Sequence, residues 1–130
     1  MAIVDLDHFK RVNDTLSHST GDAVLVEVAA MLAEVATGPV LAARMGGEEF
    51  LLVFPGVDLA EAARRCEALR LRIRAFPWAP VTGTLPVTTS IGVTAAAEGR
   101  STPSALLSQA DRNLYAAKRS GRDRVVVDTL

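Results

Sequence analysis

A chain of 130 residues, 49% hydrophobic and 22% charged, has the composition of a single globular domain with a sizeable core. Its 14 basic and 15 acidic residues give a formal net charge of −1, which argues against a nucleic-acid coat or a membrane-surface domain, because both usually carry a basic excess. The most apolar stretch, residues 23–36, contains two glutamates and is too short to span a bilayer. The single cysteine, Cys66, excludes an internal disulfide, fits a reducing compartment and falls on an apolar helix face that predicts a core position.

The first third of the chain predicts one strand followed by helices. Residues 2–6 form a short apolar run that ends in acids, which is typical of a buried strand. Residues 7–13 predict a short helix that breaks near residues 17–21. A longer helix is expected over residues 22–36, because Gly38-Pro39 then stops it.

The middle of the chain predicts a β-hairpin and a third helix. Strands are expected over residues 40–44 and 50–54, on either side of Gly46-Gly47, a favoured pair for a two-residue turn. Asp58 is a suitable N-cap for a helix that ends near Ala75. The proline-rich residues 76–86 predict a loop with room for a short strand.

The last third predicts a strand, a helix and a final strand. Residues 87–95 alternate between apolar and polar side chains, as in a half-buried strand, and residues 99–101 predict a turn. A helix over residues 102–119 begins with a Thr-Pro cap and stops at Gly121. Residues 124–128 complete the order β-α-α-β-β-α-β-α-β, which predicts an α+β fold with a mixed five-stranded central sheet surrounded by helices.

Acidic residues occur at two predicted strand ends. Strand alternation places Asp5 and Asp7 on one side of the first strand, and Glu48-Glu49 follow the hairpin glycines. Carboxylates from two elements can converge on a hard divalent cation, and Gly46-Gly47 next to them would let a phosphate approach the main chain. The alternatives are acids at solvated strand ends and a plain hairpin turn.

Four further polar residues are candidates for nucleotide binding. Asn13 and Asp22 offer the donors and acceptors that read a base edge, although both also suit helix capping. Lys118 and Arg122 lie at the end of the last predicted helix, where they could bind a polyphosphate or interact with the helix dipole alone.

Five blocks of sequence, taken in order, resemble the GGDEF family of diguanylate cyclases. They are residues 5–14 (DLDHFKRVND), Gly21-Asp22 after His18, residues 44–50 (RMGGEEF), residues 89–93 (TSIGV) and residues 110–122. The resemblance spans essentially the whole chain, and Gly-Gly-Glu-Glu-Phe is an active form of the family signature. It implies a fold related to nucleotide cyclases and the polymerase palm.

The resemblance also implies roles for individual residues. Asp5, Glu48 and the Leu6 carbonyl correspond to metal ligands, and Asp5, Glu48 and Glu49 to the catalytic residues, with Glu49 near the reacting 3′-hydroxyl as general base or additional ligand. Asn13 and Asp22 correspond to the guanine-reading pair. The implied phosphate-binding groups are Gly46 and Gly47, the main-chain amides around His8, Phe9 and Lys10, and the side chains of Lys118 and Arg122.

The implied reaction condenses two GTP into cyclic di-GMP with release of pyrophosphate, assisted by Mg²⁺ or Mn²⁺. Each domain would hold one GTP, so a transient homodimer is needed, and an upstream regulatory domain usually controls that pairing. We therefore expect residues 1–130 to be one GGDEF domain, truncated at its N-terminus and part of a longer signalling protein. We expect it on the cytoplasmic side, without nucleic-acid or membrane partners, and weakly active alone in a concentration-dependent way.

The chain departs from the family pattern at three places. Residues 37–40 (TGPV) replace the Arg-x-x-Asp inhibitory product site, which predicts no feedback inhibition through that site. Ser17 replaces a usual glycine and would be strained if the turn needs a positive φ. An N-terminal segment with an Asp-x-Leu-Thr-Gly-Leu-like motif is absent from the sequence, which is expected to weaken stability or substrate binding.

Two competing functions remain. The domain could bind GTP or cyclic di-GMP as a receptor without turnover, although the intact signature argues against this. It could also be a cyclase with relaxed base choice that makes mixed dinucleotides. Asp22 favours guanine, because a carboxylate accepts hydrogen bonds from two guanine donors that adenine does not offer in that pattern.

Overall fold

The computed structural model describes residues 1–97 and 101–129 and confirms the predicted mixed five-stranded sheet. The strand order is β2-β3-β1-β4-β5, and all neighbours are antiparallel except β4 and β5. The strands are β1 (Ala2–Leu6), β2 (Leu41–Gly46), β3 (Glu49–Val53), β4 (Thr89–Ala95) and β5 (Arg124–Thr129). The helices are α1 (Phe9–Thr15), α2 (His18–Val35), α3 (Leu59–Ala75), α4 (Ala79–Thr82) and α5 (Pro103–Arg119). No helix in these described ranges combines the length and hydropathy needed to cross a membrane.

The two faces of strand β1 serve different cores. Ala2, Val4 and Leu6 join the large core that α1, α2 and α3 cover, whereas Ile3 joins a small cluster with α5. Because side chains alternate along a strand, Asp5 lies on the same face as Ile3. The central strand therefore presents its acidic end toward the C-terminal part of α5.

Helix α2 begins four residues earlier than predicted. Ser17 is its N-cap, and the Ser17 hydroxyl accepts a hydrogen bond from the Thr20 amide at 3.0 Å. Ser17 has an extended backbone with φ −178°, so the strain expected from a non-glycine residue here is absent. The predicted break shrinks to the residues between α1 and α2, and Gly21 lies inside the helix.

The hairpin turn lies one residue further along the chain than predicted. β2 continues to Gly46 after an irregularity beyond Arg44, and the turn consists of Gly47 and Glu48. Gly46 (φ 151°) and Gly47 (φ 52°) both adopt backbone angles that other residues rarely accept. The glycine pair is thus required by the backbone, and it places Glu48 in the turn itself.

The proline-rich segment after α3 contains a short helix, α4, instead of the expected short strand. Trp78 before it is buried and donates its indole N–H to the Ile73 carbonyl at 2.7 Å. β4 then starts at Thr89, two residues later than predicted. The predicted turn at residues 99–101 falls largely outside the described residues.

Cys66 occupies the predicted core position on α3. It is completely buried, and burial raises the pKa of its thiol to about 12. A thiol that stays protonated at neutral pH is a poor nucleophile, so Cys66 is a packing residue.

Gly92 in β4 allows α5 to lie directly against the sheet. A Cβ atom at Gly92 would come within 2.2 Å of the Ala110 carbonyl oxygen and 2.3 Å of the Leu114 nitrogen, both main-chain atoms. Next to it, the buried Asn113 side chain donates to the Val93 carbonyl at 2.9 Å. The close approach fixes the height of α5 above the strand that neighbours β1.

We expect Gly92→Ala to destabilise the fold by about 3 kcal/mol, because helix and strand must separate to admit one methyl group. The matched control is Gly56→Ala, where φ is +71° and the added atom meets nothing within 4 Å, with an expected loss of about 1 kcal/mol. Urea unfolding measures both. Equal losses for the two variants would contradict the close-approach explanation.

Candidate active site

Three carboxylates meet at the end of the central strand. Asp5 pairs directly with Glu49 across the β1–β3 ladder, and opposite residues of an antiparallel pair share a face. The Leu6 amide donates to the Glu48 carbonyl at 3.3 Å, which brings the hairpin turn beside β1. The structure thereby brings Asp5, Glu48 and Glu49 together, as the sequence predicted.

Lys118 in the last turn of α5 neutralises the most buried of these acids. Its Nζ lies 2.7 Å from Oδ2 of Asp5, and the Asp5 side chain is only 5% exposed. The pKa of Asp5 is raised to about 6, chiefly by burial and also by the charges of Glu48 and Glu49, against the lowering effect of the Lys118 hydrogen bond and charge. The acidic end is therefore a place of unfavourable negative charge that a cation relieves.

Asp5, Glu48 and Lys118 line a cleft of about 180 Å³ that also contains most of the predicted phosphate-binding residues, whereas Glu49 is not among its lining residues. His8 (φ 55°) makes a left-handed turn before α1, so the first amides of that helix lie at the cleft. The cleft is lined by Asp5, Leu6, Asp7, His8, Phe9, Lys10, Glu48, Lys118 and Arg122. A cleft lined by both carboxylates and cationic side chains suits an anionic ligand bound together with a cation.

The predicted guanine-reading residues lie outside this cleft. Asn13 is on α1, and its Oδ1 is buried without a hydrogen-bond partner among the described residues. A Cβ at Gly21 would come within 1.8 Å of that oxygen, so only glycine leaves room for Asn13. Asp22 is exposed on α2 and lines a separate, mostly apolar groove of about 500 Å³ that Arg44 also lines.

The capping alternative for these two residues is wrong. The N-caps of α1 and α2 are His8 and Ser17, and neither helix is capped by Asn13 or Asp22. An unpartnered buried acceptor is costly to keep, which makes Asn13 the stronger candidate for a ligand contact.

Gly46 and Gly47 do not line the cleft. Nothing lies within 4 Å of a Cβ built at either residue. Their positive φ angles show that the turn needs glycine at both positions, and the space around them is open to a ligand.

Asp7 has a role that the sequence pattern did not indicate. Its carboxylate accepts hydrogen bonds from Ser90 Oγ (2.6 Å), Thr88 Oγ1 (2.8 Å) and the Asp123 amide (3.0 Å). Since these donors occupy both oxygens, Asp7 is a structural group and not a free ligand. Its partners are more than 80 residues away, so no local signal could have identified them.

The predicted metal ligands fit a divalent cation only if phosphate oxygens of a substrate complete the coordination. The described residues contain no group of three or more His, Cys, Asp or Glu arranged to hold a metal ion. Asp5, Leu6 and Glu48, whose carboxylate and carbonyl oxygens are the predicted ligands, all line the cleft. Mg²⁺ commonly binds through one or two carboxylates together with substrate phosphates, and this set matches that chemistry.

The raised pKa of Asp5 predicts a pH-dependent stability in the absence of divalent cations. The folded value, about 6, exceeds the ordinary 3.8, so the contribution of Asp5 is fully present below pH 4 and is lost as pH rises through 6. Asp5→Asn removes this loss. Relative to wild type, its melting temperature should therefore rise between pH 4 and pH 7 when both are measured with a chelator present.

Asp14→Asn, which makes the same substitution at an exposed position on α1 outside the cleft, is the control. A constant difference between Asp5→Asn and wild type from pH 4 to pH 8 would show that Asp5 titrates normally.

Comparisons with known proteins agree with this geometry. Residues 1–124 match the family described as diguanylate cyclase, GGDEF domain. The response regulator PleD of Caulobacter vibrioides is 44% identical over 126 residues, which cover 95% of this chain and 28% of PleD. The diguanylate cyclase DgcP of Pseudomonas aeruginosa is 41% identical over 127 residues, which cover 98% of this chain and 19% of DgcP. The chain thus spans under a third of these relatives.

Solved structures show the same fold. The GGDEF domain of DgcB from Caulobacter crescentus, solved in complex with c-di-GMP, superposes with a TM-score of 0.89 at 36% identity, covering 97% of this chain and 75% of that one. The active GGEEF domain of a diguanylate cyclase from Vibrio cholerae gives a TM-score of 0.88 at 29% identity, covering 97% and 80%. By sequence and by fold, the chain belongs to the GGDEF family of diguanylate cyclase domains.

Proposed function

We propose that this domain is a diguanylate cyclase that condenses two GTP into cyclic di-GMP and two pyrophosphates. The observation that carries the proposal is the meeting of Asp5 and Glu48 beside Lys118 in a cleft that Arg122 also lines, with Glu49 opposite Asp5 in the β1–β3 ladder. The similar Vibrio cholerae domain is described as active and as GGEEF, and this chain carries the same signature at residues 46–50.

The cleft accommodates the phosphates of GTP. At about 180 Å³ it is smaller than the roughly 300–1,000 Å³ of pockets that enclose a whole drug-sized ligand, so the base must lie elsewhere. Lys118 and Arg122 bind the terminal phosphates, Arg122 through its planar guanidinium and Lys118 as a point charge. The amides of residues 8–10 add donors at the start of α1, and Gly46 and Gly47 leave the α- and β-phosphates room along the hairpin.

Asn13 and Asp22 read the guanine. Asp22 accepts hydrogen bonds from the guanine N1 and N2 donors, and the unpartnered Oδ1 of Asn13 supplies a further acceptor. Guanine then lies beside α1 and α2, with its phosphates directed toward the cleft.

Asp5, Glu48 and the Leu6 carbonyl would hold Mg²⁺ or Mn²⁺, with phosphate oxygens of the substrate as the remaining ligands. When bound, the cation lowers the pKa of the attacking hydroxyl and neutralises negative charge on the phosphates. Glu49, opposite Asp5 in the ladder, accepts the proton of the 3′-hydroxyl. A new 3′-O–P bond forms as the bond from the α-phosphorus to pyrophosphate breaks, and the reaction occurs twice to close the ring.

Catalysis requires two domains, because each provides one GTP site and each GTP supplies both a nucleophile and an electrophile. A symmetric homodimer places the 3′-hydroxyl of one GTP against the α-phosphate of the other, and this positioning provides several kcal/mol of the barrier reduction. In the full-length protein, an upstream domain sets that geometry. The product is not expected to inhibit through residues 37–40, which offer no charged side chain.

The first test is product analysis after concentrated protein is incubated with GTP and Mg²⁺. We expect cyclic di-GMP to rise faster than linearly with protein concentration and to disappear in Glu48→Ala/Glu49→Ala. The matched control is Glu27→Ala/Glu34→Ala on α2, which removes the same charge outside the cleft and should keep activity. If GTP binds and no product forms at any concentration, the result contradicts the cyclase proposal and favours the receptor function.

A second test addresses base recognition. Asp22→Ala loses a charged hydrogen bond, so its affinity for GTP should fall about tenfold or more, measured by calorimetry. Cyclic di-GMP should lose affinity in parallel, because the product carries the same guanine. Asp14→Ala, an exposed acid on the neighbouring helix, is the control. Unchanged product binding in Asp22→Ala would show that cyclic di-GMP does not use this half-site, and equal binding of ATP and GTP by wild type would indicate relaxed base choice.

A further inference from the structure

The loop that carries Arg122 has an unfavourable backbone. Gly121, Arg122 and Asp123 follow α5 with φ angles of 129°, 63° and 46°. Glycine adopts such angles easily, but two consecutive non-glycine residues in the left-handed region need surrounding contacts to hold them there. The only residue of this loop that lines the cleft is Arg122.

The first contact that holds the loop is Asp7. The Asp123 amide donates to Oδ2 of Asp7 at 3.0 Å, and Ser90 and Thr88 fix the same carboxylate from the start of β4. Asp7 is 5% exposed, so these hydrogen bonds are shielded from water. The loop is thereby tied to the end of the strand that carries the acids.

The second contact is Arg70 of α3, whose side chain is 12% exposed. Its Nη1 donates to the Asp123 carboxylate at 2.7 Å and to the Asp123 carbonyl at 3.2 Å. Glu67 orients the guanidinium by accepting from its Nε at 2.9 Å. The more exposed Arg74 is 3.5 Å from the other Asp123 oxygen, a longer and weaker contact.

We propose that Arg70, Asp123 and Asp7 are positioning residues that hold Arg122 in its phosphate-binding orientation. Asp123, the residue after Arg122, is hydrogen-bonded to Arg70 through its carbonyl and carboxylate and to Asp7 through its amide. Neither the Arg70 nor the Asp123 side chain lines the cleft. The inference rests on the proposed function, in which Arg122 binds the phosphates of GTP. It makes α3, none of whose residues line the cleft, a determinant of phosphate affinity.

The test is a double-mutant cycle with Arg70→Ala, Arg122→Ala and the double variant. Affinities for GTP and for guanosine, which lacks phosphates, are measured by calorimetry. Arg70→Ala should lower the affinity for GTP on the order of tenfold and leave the affinity for guanosine unchanged. If Arg70 acts through Arg122, the double variant binds GTP no more weakly than Arg122→Ala alone. Arg72→Ala is the control, because Arg72 is on the same helix and pairs with Glu34.

Amide hydrogen exchange provides a readout that needs no nucleotide. In Arg70→Ala, the amides of Arg122 and Asp123 should exchange faster, while those in the middle of α5 do not change. Asp123→Ala, which leaves Arg70 paired with Glu67, is a second variant that should show the same pattern if Arg70→Ala folds poorly.

Additive losses in the cycle, or an equal loss of guanosine affinity, would overturn the positioning role. Unchanged exchange at Arg122 and Asp123 in both variants would overturn it as well. A wild-type protein that does not bind GTP would contradict the proposed function instead, and the exchange data would then decide alone whether Arg70 holds the loop.

Discussion

Strand β1 is hydrogen-bonded along both edges, to β3 and to β4, and this double pairing determines where the chemistry-bearing groups lie. Its register puts Asp5 opposite Glu49 on one side and opposite Ser90 on the other. A shift by one residue would turn Asp5 into the apolar core, which is energetically prohibited for an unpaired carboxylate. The hydrophobic pattern of β1 therefore fixes the strand register, and the register fixes the position of Asp5 and of its ladder partner Glu49.

The second requirement is charge. Three carboxylates at one strand end repel one another, and Lys118 compensates only Asp5. Such an arrangement lowers the stability of the free domain; in the proposed function, this cost is offset by affinity toward a cation and polyphosphate, a frequent compromise at functional sites. The left-handed backbone at His8, Arg122 and Asp123 fits the same description, because all three residues border the cleft or anchor a residue that does.

Much of the fold could be predicted because its signals are local. Strand alternation, the Thr102 cap, Gly121 after α5 and the hairpin glycines each act within a few residues, and the structure confirms the elements they indicate. The errors occur where two local signals compete. Ser17 is the N-cap of a helix that continues past Gly21, although glycine is usually unfavourable inside a helix. Glycine is needed at position 21 because a Cβ atom there would collide with the Asn13 side chain.

The site was less predictable than the fold, because its contacts join distant parts of the chain. The family resemblance indicated Asp5 and Lys118 separately, but their ion pair spans 113 positions. The contacts of Arg70 with Asp123 and of Asp7 with Ser90 are equally invisible in sequence, since each depends on how α3, β4 and the loop after α5 pack together. The family resemblance singled out Asp5 as a candidate ligand, and the packing showed what Asp7 does instead, through its hydrogen bonds to Ser90, Thr88 and Asp123.

A carboxylate on a doubly paired central strand has an implication for control. Moving Asp5 would break two ladders at once, so under the proposed function an input signal would have little freedom to switch a half-site on or off by displacing its acids. In the proposed reaction, the adjustable quantity is then the effective concentration of one half-site near another, which a tether or partner can raise to the millimolar range without changing any residue contact. The rate of the proposed reaction would then depend on how often two half-sites meet, because the acids of each half-site are already in place.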